Sequence, residues 1–248
     1  MVPSNGVDAM NITVTRRLIS AWFRDATQFR RPWFRRDCPM CGYHGMFVSV
    51  GRPVRYDVRC PQCGCRERHR LIWLWITEGG GNKLDGKRIL HFAPEAVWMK
   101  RMRDNPNYET ADLYQKGVDH TVDITKLPFS DASYDVAMAN HVLEHVDDDN
   151  AAMRELFRIL KPNGFALLSV PLNPSRRETY RDPAITDPRL RLLHFGGTDH
   201  KRYYGLDIAD QLGGHGFVVE TFRMPPELEA RYGLLRDEWI YIARKPAQ

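Results

Sequence analysis

Lys87-Arg88-Ile89-Leu90-His91-Phe92-Ala93-Pro94-Glu95 is the stretch that decides the fold. Residues 88–92 form an apolar run bounded by a cation on one side and a proline on the other, which predicts a short buried strand. Pro94 suits the first turn of a helix, where its missing N–H leaves no intrahelical bond unmade, so a helix from residue 94 or 95 to about 103 is expected. Downstream the alternation repeats. Strands are predicted over 108–111, ending in Asp112, over 120–122, ending in Asp123, and over 134–139, ending at Asn140. A helix over 149–160 follows, with Asp147, Asp148 and Asp149 at its positive end and Lys161-Pro162-Asn163-Gly164 as its stop. Residues 165–170 are nearly all apolar, as a central parallel strand requires. Residues 171–204 show no clear periodicity, and a short helix (206–212) and two strands (217–222 and 239–243) close the chain. The expected fold is α/β, an open, mostly parallel sheet with an antiparallel final strand.

In such a sheet, ligands bind beyond the carboxyl ends of the strands, near the point where strand order reverses. Ala93, Pro94 and Glu95 stand there after the first strand, Asp112 and Leu113 after the second, Asp123 and Ile124 after the third, and Asn140 after the fourth. Asp112 lies about 20 positions after the first strand, the spacing of a carboxylate that accepts from both ribose hydroxyls of a nucleotide cofactor. Asp123 suits an exocyclic adenine amine. The structural alternative for each carboxylate is a helix N-cap or a turn.

The segments 123–129, 134–146 (Tyr-Asp-Val-Ala-Met-Ala-Asn-His-Val-Leu-Glu-His-Val) and 155–164 (Glu-Leu-Phe-Arg-Ile-Leu-Lys-Pro-Asn-Gly) resemble the middle motifs of Rossmann-like (class I) S-adenosylmethionine-dependent methyltransferases. The resemblance covers roughly residues 84–245. It implies S-adenosylmethionine as cofactor, with Asp112 on the ribose, Asp123 and the Ile124 backbone on the adenine, and Asn140 beside the methionine end. The first motif departs from the family. His91 takes the usual acidic slot, and Ala93 and Glu95 take slots usually held by glycine. Glu95 either grips the cofactor's ammonium group or blocks the pocket. The Leu-His-Phe-Ala-Pro-Glu form is similar to that of a bacterial subgroup with an N-terminal cysteine cluster.

Upstream, all five cysteines fall between positions 38 and 65. Cys38-Pro-Met-Cys41-Gly42 and Cys60-Pro-Gln-Cys63-Gly64 are two C-x-x-C turns, the spacing of a zinc ribbon, and a tetrahedral structural Zn2+ takes Cys38, Cys41, Cys60 and Cys63 and leaves Cys65 surplus. About thirty residues bury too little surface to fold alone, so metal would supply folding energy. The alternative is a set of reduced, buried cysteines. The implied organisation is a basic amphipathic helix within 1–35, a zinc-ribbon-like module over 36–66, a connecting helix and glycine linker over 67–83, and the methyltransferase domain over 84–248. In the first segment, Val14, Leu18, Ala21, Trp22, Ala26 and Phe29 recur at helical spacing; residues 1–11 are expected to be disordered.

The first 82 residues hold 13 Arg and no Lys against 6 acidic residues, within a chain of net charge +5. That basic front end suits nucleic acid, an anionic surface or a phosphorylated substrate, or is simply a solvated helix face. No apolar run reaches the length of a membrane span and no secretory signal is recognisable, so a cytoplasmic location is expected. Methyl transfer to a hydroxyl needs a base, and His200, beside Asp199, is the best candidate; the alternative is a brace for a lid. His141 and His145 are expected to be structural or cofactor-adjacent. The leading function is methyl transfer to a small-molecule or sugar acceptor, at oxygen. An RNA methyltransferase that grips RNA with its ribbon, and a non-catalytic scaffold, are the competing readings. The acceptor and the oligomeric state are not legible in the sequence.

Overall fold

The computed structural model describes residues 12–24, 34–51 and 54–247. The chain divides into two compact units, a larger one of Ile76–Arg223 and Asp237–Gln248 and a smaller one of Met1–Trp75 and Met224–Arg236. In chain order the elements are α1 (Ile12–Arg24), β1 (Arg36–Asp37), β2 (His44–Gly45), β3 (Val48–Val50), β4 (Arg55–Arg59), α2 (Glu67–Ile76), β5 (Ile89–Phe92), α3 (Ala96–Met102), β6 (Tyr108–Asp112), β7 (His120–Thr121), β8 (Tyr134–Asn140), α4 (Asp149–Ile159), β9 (Leu160–Ser169), β10 (Tyr180–Arg181), α5 (Pro188–Phe195), β11 (Arg202–Tyr203), α6 (Ile208–Gly214), β12 (Val218–Phe222), α7 (Pro226–Tyr232) and β13 (Ile240–Arg244).

The larger unit is built on a seven-stranded sheet of order β12-β13-β9-β8-β5-β6-β7. The five strands from β9 to β7 run parallel, β13 runs antiparallel to β9, and β12 runs antiparallel to β13. All four residues of β5 are buried, which is why the run from Ile89 carries no alternation. From β5 the chain moves outward to β6 and β7, then crosses to the other side of β5 to form β8, so the switch point lies between β5 and β8. Register sets the level of the strand ends. Phe92 stands opposite both Ala111 and Ala139, so Ala93, Asp112 and Asn140 come out at the same height on three neighbouring strands. Leu90, Phe92, Ala137, Leu156 and Leu168 belong to the apolar cluster beneath that edge.

Two stretches differ from the sequence expectation. β9 begins at Leu160, so Lys161-Pro162-Asn163-Gly164 lies within a strand and does not end a helix in a loop. Asn163 has φ 63°, its N–H donates to the Lys245 carbonyl, and the Lys245 N–H donates to the Gly164 carbonyl. A Cβ at Gly164 would sit 2.9 Å from two backbone oxygens, so only glycine fits. Residues 171–204 hold the β10–β11 pair and α5. Asp187 caps α5 by accepting from the Arg189 and Leu190 N–H groups, Pro188 starts it, and Gly196 ends it with φ 82°.

The smaller unit adds α7 to the N-terminal elements. β1 and β2 pair around the first C-x-x-C turn, and β3 and β4 form a second antiparallel pair. Its centre is Arg70, which is fully buried. The guanidinium donates to the carbonyls of Val58, Cys65, Tyr232 and Gly233 and lies over the Phe47 ring at 4.4 Å. Helix α1 covers residues 12–24 of the expected amphipathic helix, with Val14 buried and Leu18 half-buried. Arg17 donates to the Pro61 carbonyl at 2.7 Å, so at least one of its cations braces the second cysteine turn. Residues 1–11, Ala26 and Phe29 lie outside the described residues.

Candidate functional site

At the carboxyl edge of the larger unit's sheet, Ala93 has φ 47°, a left-handed backbone that a non-glycine residue adopts at a cost of about 1–2 kcal/mol. The glycine slot has therefore kept its backbone geometry and lost only its residue type. Pro94 is buried. Glu95 is the N-cap residue of α3 but does not cap it with its side chain. Asp112 Oδ1 accepts from the Tyr114 and Gln115 N–H groups at 2.6 and 2.7 Å, and no hydrogen bond reaches Oδ2 among the described residues. Asp123 behaves alike, its Oδ1 taking the Thr125 N–H and hydroxyl at 2.8 Å each. The turn role and a ligand role are thus compatible, because each carboxylate turns one oxygen to its own backbone and keeps the other. Leu113 is exposed and Ile124 is buried.

Asn140 is buried, with Oδ1 accepting from Ser169 at 3.3 Å while Nδ2 has no hydrogen-bond partner among the described residues. A buried amide left unpaired costs about 1–3 kcal/mol, and a ligand carboxylate at the strand end would satisfy it. His91, in the acidic slot, is buried and meets the Tyr108 hydroxyl at 2.7 Å between Trp98 and Tyr108. It serves the packing of β5 on β6 and α3.

A second group of polar side chains follows β8. Glu144 is fully buried, and its Oε1 lies 3.1 Å from His141 Nδ1 and 4.0 Å from His145 Nε2. The expected Asp199–His200 partnership is replaced by another. Asp199 pairs with His145 Nδ1 at 3.1 Å, while His200 Nδ1 faces the Phe195 carbonyl at 2.9 Å. The His145 and His200 rings meet edge to face at 4.8 Å. Arg202 donates to the Leu143, Val146 and Asp147 carbonyls, and the Tyr204 hydroxyl donates to buried Asp149. The strap from His200 to Tyr204 therefore both braces the loop after β8 and carries the candidate base. Burial, helped by the neighbouring Asp149 carboxylate, pushes the Tyr204 hydroxyl well above the usual phenol range, so it stays protonated as a donor.

In the smaller unit, one sulfur each from Cys38, Cys41, Cys60 and Cys63 lies within 4.8 Å of the others. Four sulfurs at about 2.3 Å from one zinc stand about 3.8 Å apart. The Cys38–Cys63 and Cys41–Cys60 separations are both 3.7 Å, so the four residues fit the ion. The two turns match: the Gly42 N–H reaches the Cys38 carbonyl and the Gly64 N–H the Cys60 carbonyl, with φ 74° and 82° at the glycines. Hydrogen bonds within the cluster divide the thiols: Cys38 first pulls Cys60 down to about 4 and Cys63 further, while Cys38, bonded first to Cys41, and Cys41 itself are pushed up, so binding a metal to all four would release the protons that remain. Cys65 lies 3.4 Å from the Cys38 sulfur, but its own sulfur takes a hydrogen bond from Arg70 at 3.7 Å.

The larger unit is an α/β fold, a mostly parallel sheet with carboxylates at the switch point where such sheets bind ligands. More narrowly, residues 94–168 match the family described as a methyltransferase domain. The match begins one residue past Ala93. Malonyl-[acyl-carrier protein] O-methyltransferase of Erwinia billingiae is 43% identical over 94 residues, which are 37% of this chain and 36% of that protein. A probable S-adenosylmethionine-dependent methyltransferase of Mycolicibacterium smegmatis is 33% identical over 44% of this chain and 41% of its own length. The chain thus spans less than half of either relative. Ubiquinone/menaquinone biosynthesis C-methyltransferase UbiE of Pectobacterium carotovorum is 28% identical over 74% of this chain and 70% of its own. Among solved structures, an S-adenosylmethionine dependent methyltransferase from Mesorhizobium loti aligns with TM-score 0.45 and 21% identity, covering 64% of this chain and 91% of that one.

Proposed function

We propose that this chain transfers the methyl group of S-adenosylmethionine to a small-molecule or sugar acceptor, at oxygen. The observation that carries the reading is the level strand edge, where Asp112 Oδ2 and Asn140 Nδ2 lack partners among the described residues beside the left-handed Ala93. Asp112 Oδ2 accepts from the ribose hydroxyls, with Leu113 against the adenine. Asp123 Oδ2 takes the adenine amine beside the Ile124 backbone, and Asn140 donates to the methionine carboxylate. Ala93 and Pro94 line the approach of the backbone, and the Glu95 carboxylate meets the ammonium group. The cofactor, when bound, supplies an activated sulfonium methyl, and the protein's task is positioning and proton removal.

The proton goes to His200. Its Nδ1–H donates to the Phe195 carbonyl, a tautomer that leaves Nε2 with its lone pair. Cys38, Cys41, Cys60 and Cys63 hold a structural Zn2+, and a reduced four-thiolate group fits the cytoplasm. The test is incubation with methyl-labelled S-adenosylmethionine and the separated small-molecule and RNA fractions of a cell extract. Label in the small-molecule fraction supports the reading. Label in RNA replaces it with RNA methylation served by the basic smaller unit, and label in neither favours a scaffold.

A further inference from the structure

We infer that Glu144, His145 and His200 form a second metal centre, in the larger unit, for a divalent first-row transition ion of the zinc type. One ligand atom from each residue lies within 4.8 Å of the other two. Bonds of about 2.0–2.2 Å to a common ion need these atoms to close by about an ångström, within the reach of side-chain rotation.

The carboxylate supplies the strongest reason. Glu144 is fully buried and its Oε2 meets no hydrogen-bond donor among the described residues, while Oε1 takes His141. Buried carboxylates are otherwise paired or bound to metal, because an unpartnered charge in the interior is costly. The imidazoles are arranged to match. His145 Nδ1 is tied to the Asp199 carboxylate and His200 Nδ1 to the Phe195 carbonyl. A metal-binding histidine is usually oriented in this way, with its far nitrogen donating to a carboxylate or carbonyl so that the near one keeps its lone pair.

The fold holds the three residues in place. The Lys201 N–H donates to the Glu144 carbonyl at 2.8 Å, and Arg202 gathers three carbonyls of the loop that carries Glu144 and His145. A Cβ on Gly197 would come within 2.4 Å of the His200 ring, so glycine shapes the seat of that imidazole. Two imidazole nitrogens and one carboxylate select zinc, cobalt, iron or manganese over magnesium and calcium, which prefer all-oxygen sites. The His145 side chain is 36% exposed, so a three-ligand site would keep a position open to solvent. The centre follows directly on Asn140; resting on the methyl-transfer reading, that open position takes the acceptor oxygen in the metal-loaded chain, where the ion lowers the pKa of the acceptor hydroxyl and its proton leaves to solvent, and His200 acts as the base only in the metal-free chain.

Cobalt titration of the full chain tests the site without cofactor or acceptor, so its outcome is independent of methyl transfer. Two Co2+ per chain are expected, one with strong sulfur-to-metal charge-transfer bands and one without. Glu144→Gln and His200→Ala should each remove the second ion and leave the charge-transfer bands, with unchanged circular dichroism reporting an intact larger unit. Asp199→Asn should weaken the second ion about tenfold. Uptake of only the sulfur-bound ion by the unaltered chain, or two ions in both ligand variants, overturns the inference.

Discussion

The two units keep their interiors by different physics. In the larger one, Leu90, Phe92, Ala137, Leu156 and Leu168 are buried around a continuous sheet, and stability is spread over many apolar contacts. In the smaller one, Cys38, Cys60, Cys65, Glu67, His69 and Arg70 are buried among apolar side chains such as Phe47, Val58, Leu71 and Ile72. Directional bonds there replace area, as expected where strands of two to five residues cannot make a deep core. An apolar core gives way in proportion to what is removed. A core that leans on clustered cysteines and one guanidinium is expected to fail when a single partner is lost.

The contrast is most severely tested by removing the thiolates. Cys60→Ser, or strong chelation, should unfold the smaller unit while the larger unit's main thermal transition persists; proteolysis should then cut within 34–75 and spare the sheet. A single transition in which both units melt together would break the comparison. Next in size is Arg70→Met. It leaves four carbonyls without a donor and should destabilise the smaller unit by about 3 kcal/mol, read by denaturant unfolding followed by hydrogen exchange.

In the larger unit the effects shrink. Ala93→Gly relieves a left-handed alanine and should stabilise by about 1 kcal/mol, or about 2–4 °C, measured by calorimetry; destabilisation would mean that the alanine methyl does packing that outweighs the strain. The smallest effect concerns Glu155, which accepts both Arg158 nitrogens and the Leu127 N–H. The Arg158 hydrogen bonds hold its carboxyl below the ordinary 4.5, despite the opposing effect of burial. The stabilisation is therefore complete above the unfolded-state value and is lost as pH falls through the lower folded-state value. Glu155→Gln should flatten that part of the acid limb of stability and leave the curve above pH about 6 unchanged in shape.

The parts of the fold that were legible were those with a local signal. The buried run at β5, the acidic residues that follow β6 and β7, and the paired C-x-x-C-Gly turns all follow from neighbours in sequence. α5 was missed because Leu190, Leu192 and Leu193 are exposed and mark no single face, although Asp187-Pro188 and Gly196 are recognisable caps. α7 has similar end marks, Pro226 and Gly233, but nothing in its sequence says that it belongs with the cysteine turns, because Arg70 reaches it and its own Arg231 reaches Asp37 across long sequence separations.

At the candidate site the same limit holds. Asp199 and His200 are adjacent in sequence, yet they engage different partners, since consecutive side chains need not share a direction. The motif from His141 to His145 was visible. The burial of Glu144 and its orphaned oxygen were not, since they depend on a strap more than fifty residues later. Ala93 and Glu95 read as missing glycines, and only the backbone shows that the glycine geometry survived at Ala93.

The central claim is that the level edge of β6, β5 and β8 holds S-adenosylmethionine, and calorimetric titration of the zinc-loaded chain and Asp112→Asn tests it most directly. Asparagine keeps the oxygen that serves the Tyr114 and Gln115 N–H groups and replaces the one assigned to the ribose. One cofactor per chain is expected, bound about tenfold or more weakly by Asp112→Asn, which corresponds to about 1.4 kcal/mol or more. A folded chain that binds no S-adenosylmethionine, or a variant that binds it as tightly as the unaltered chain, would contradict the account.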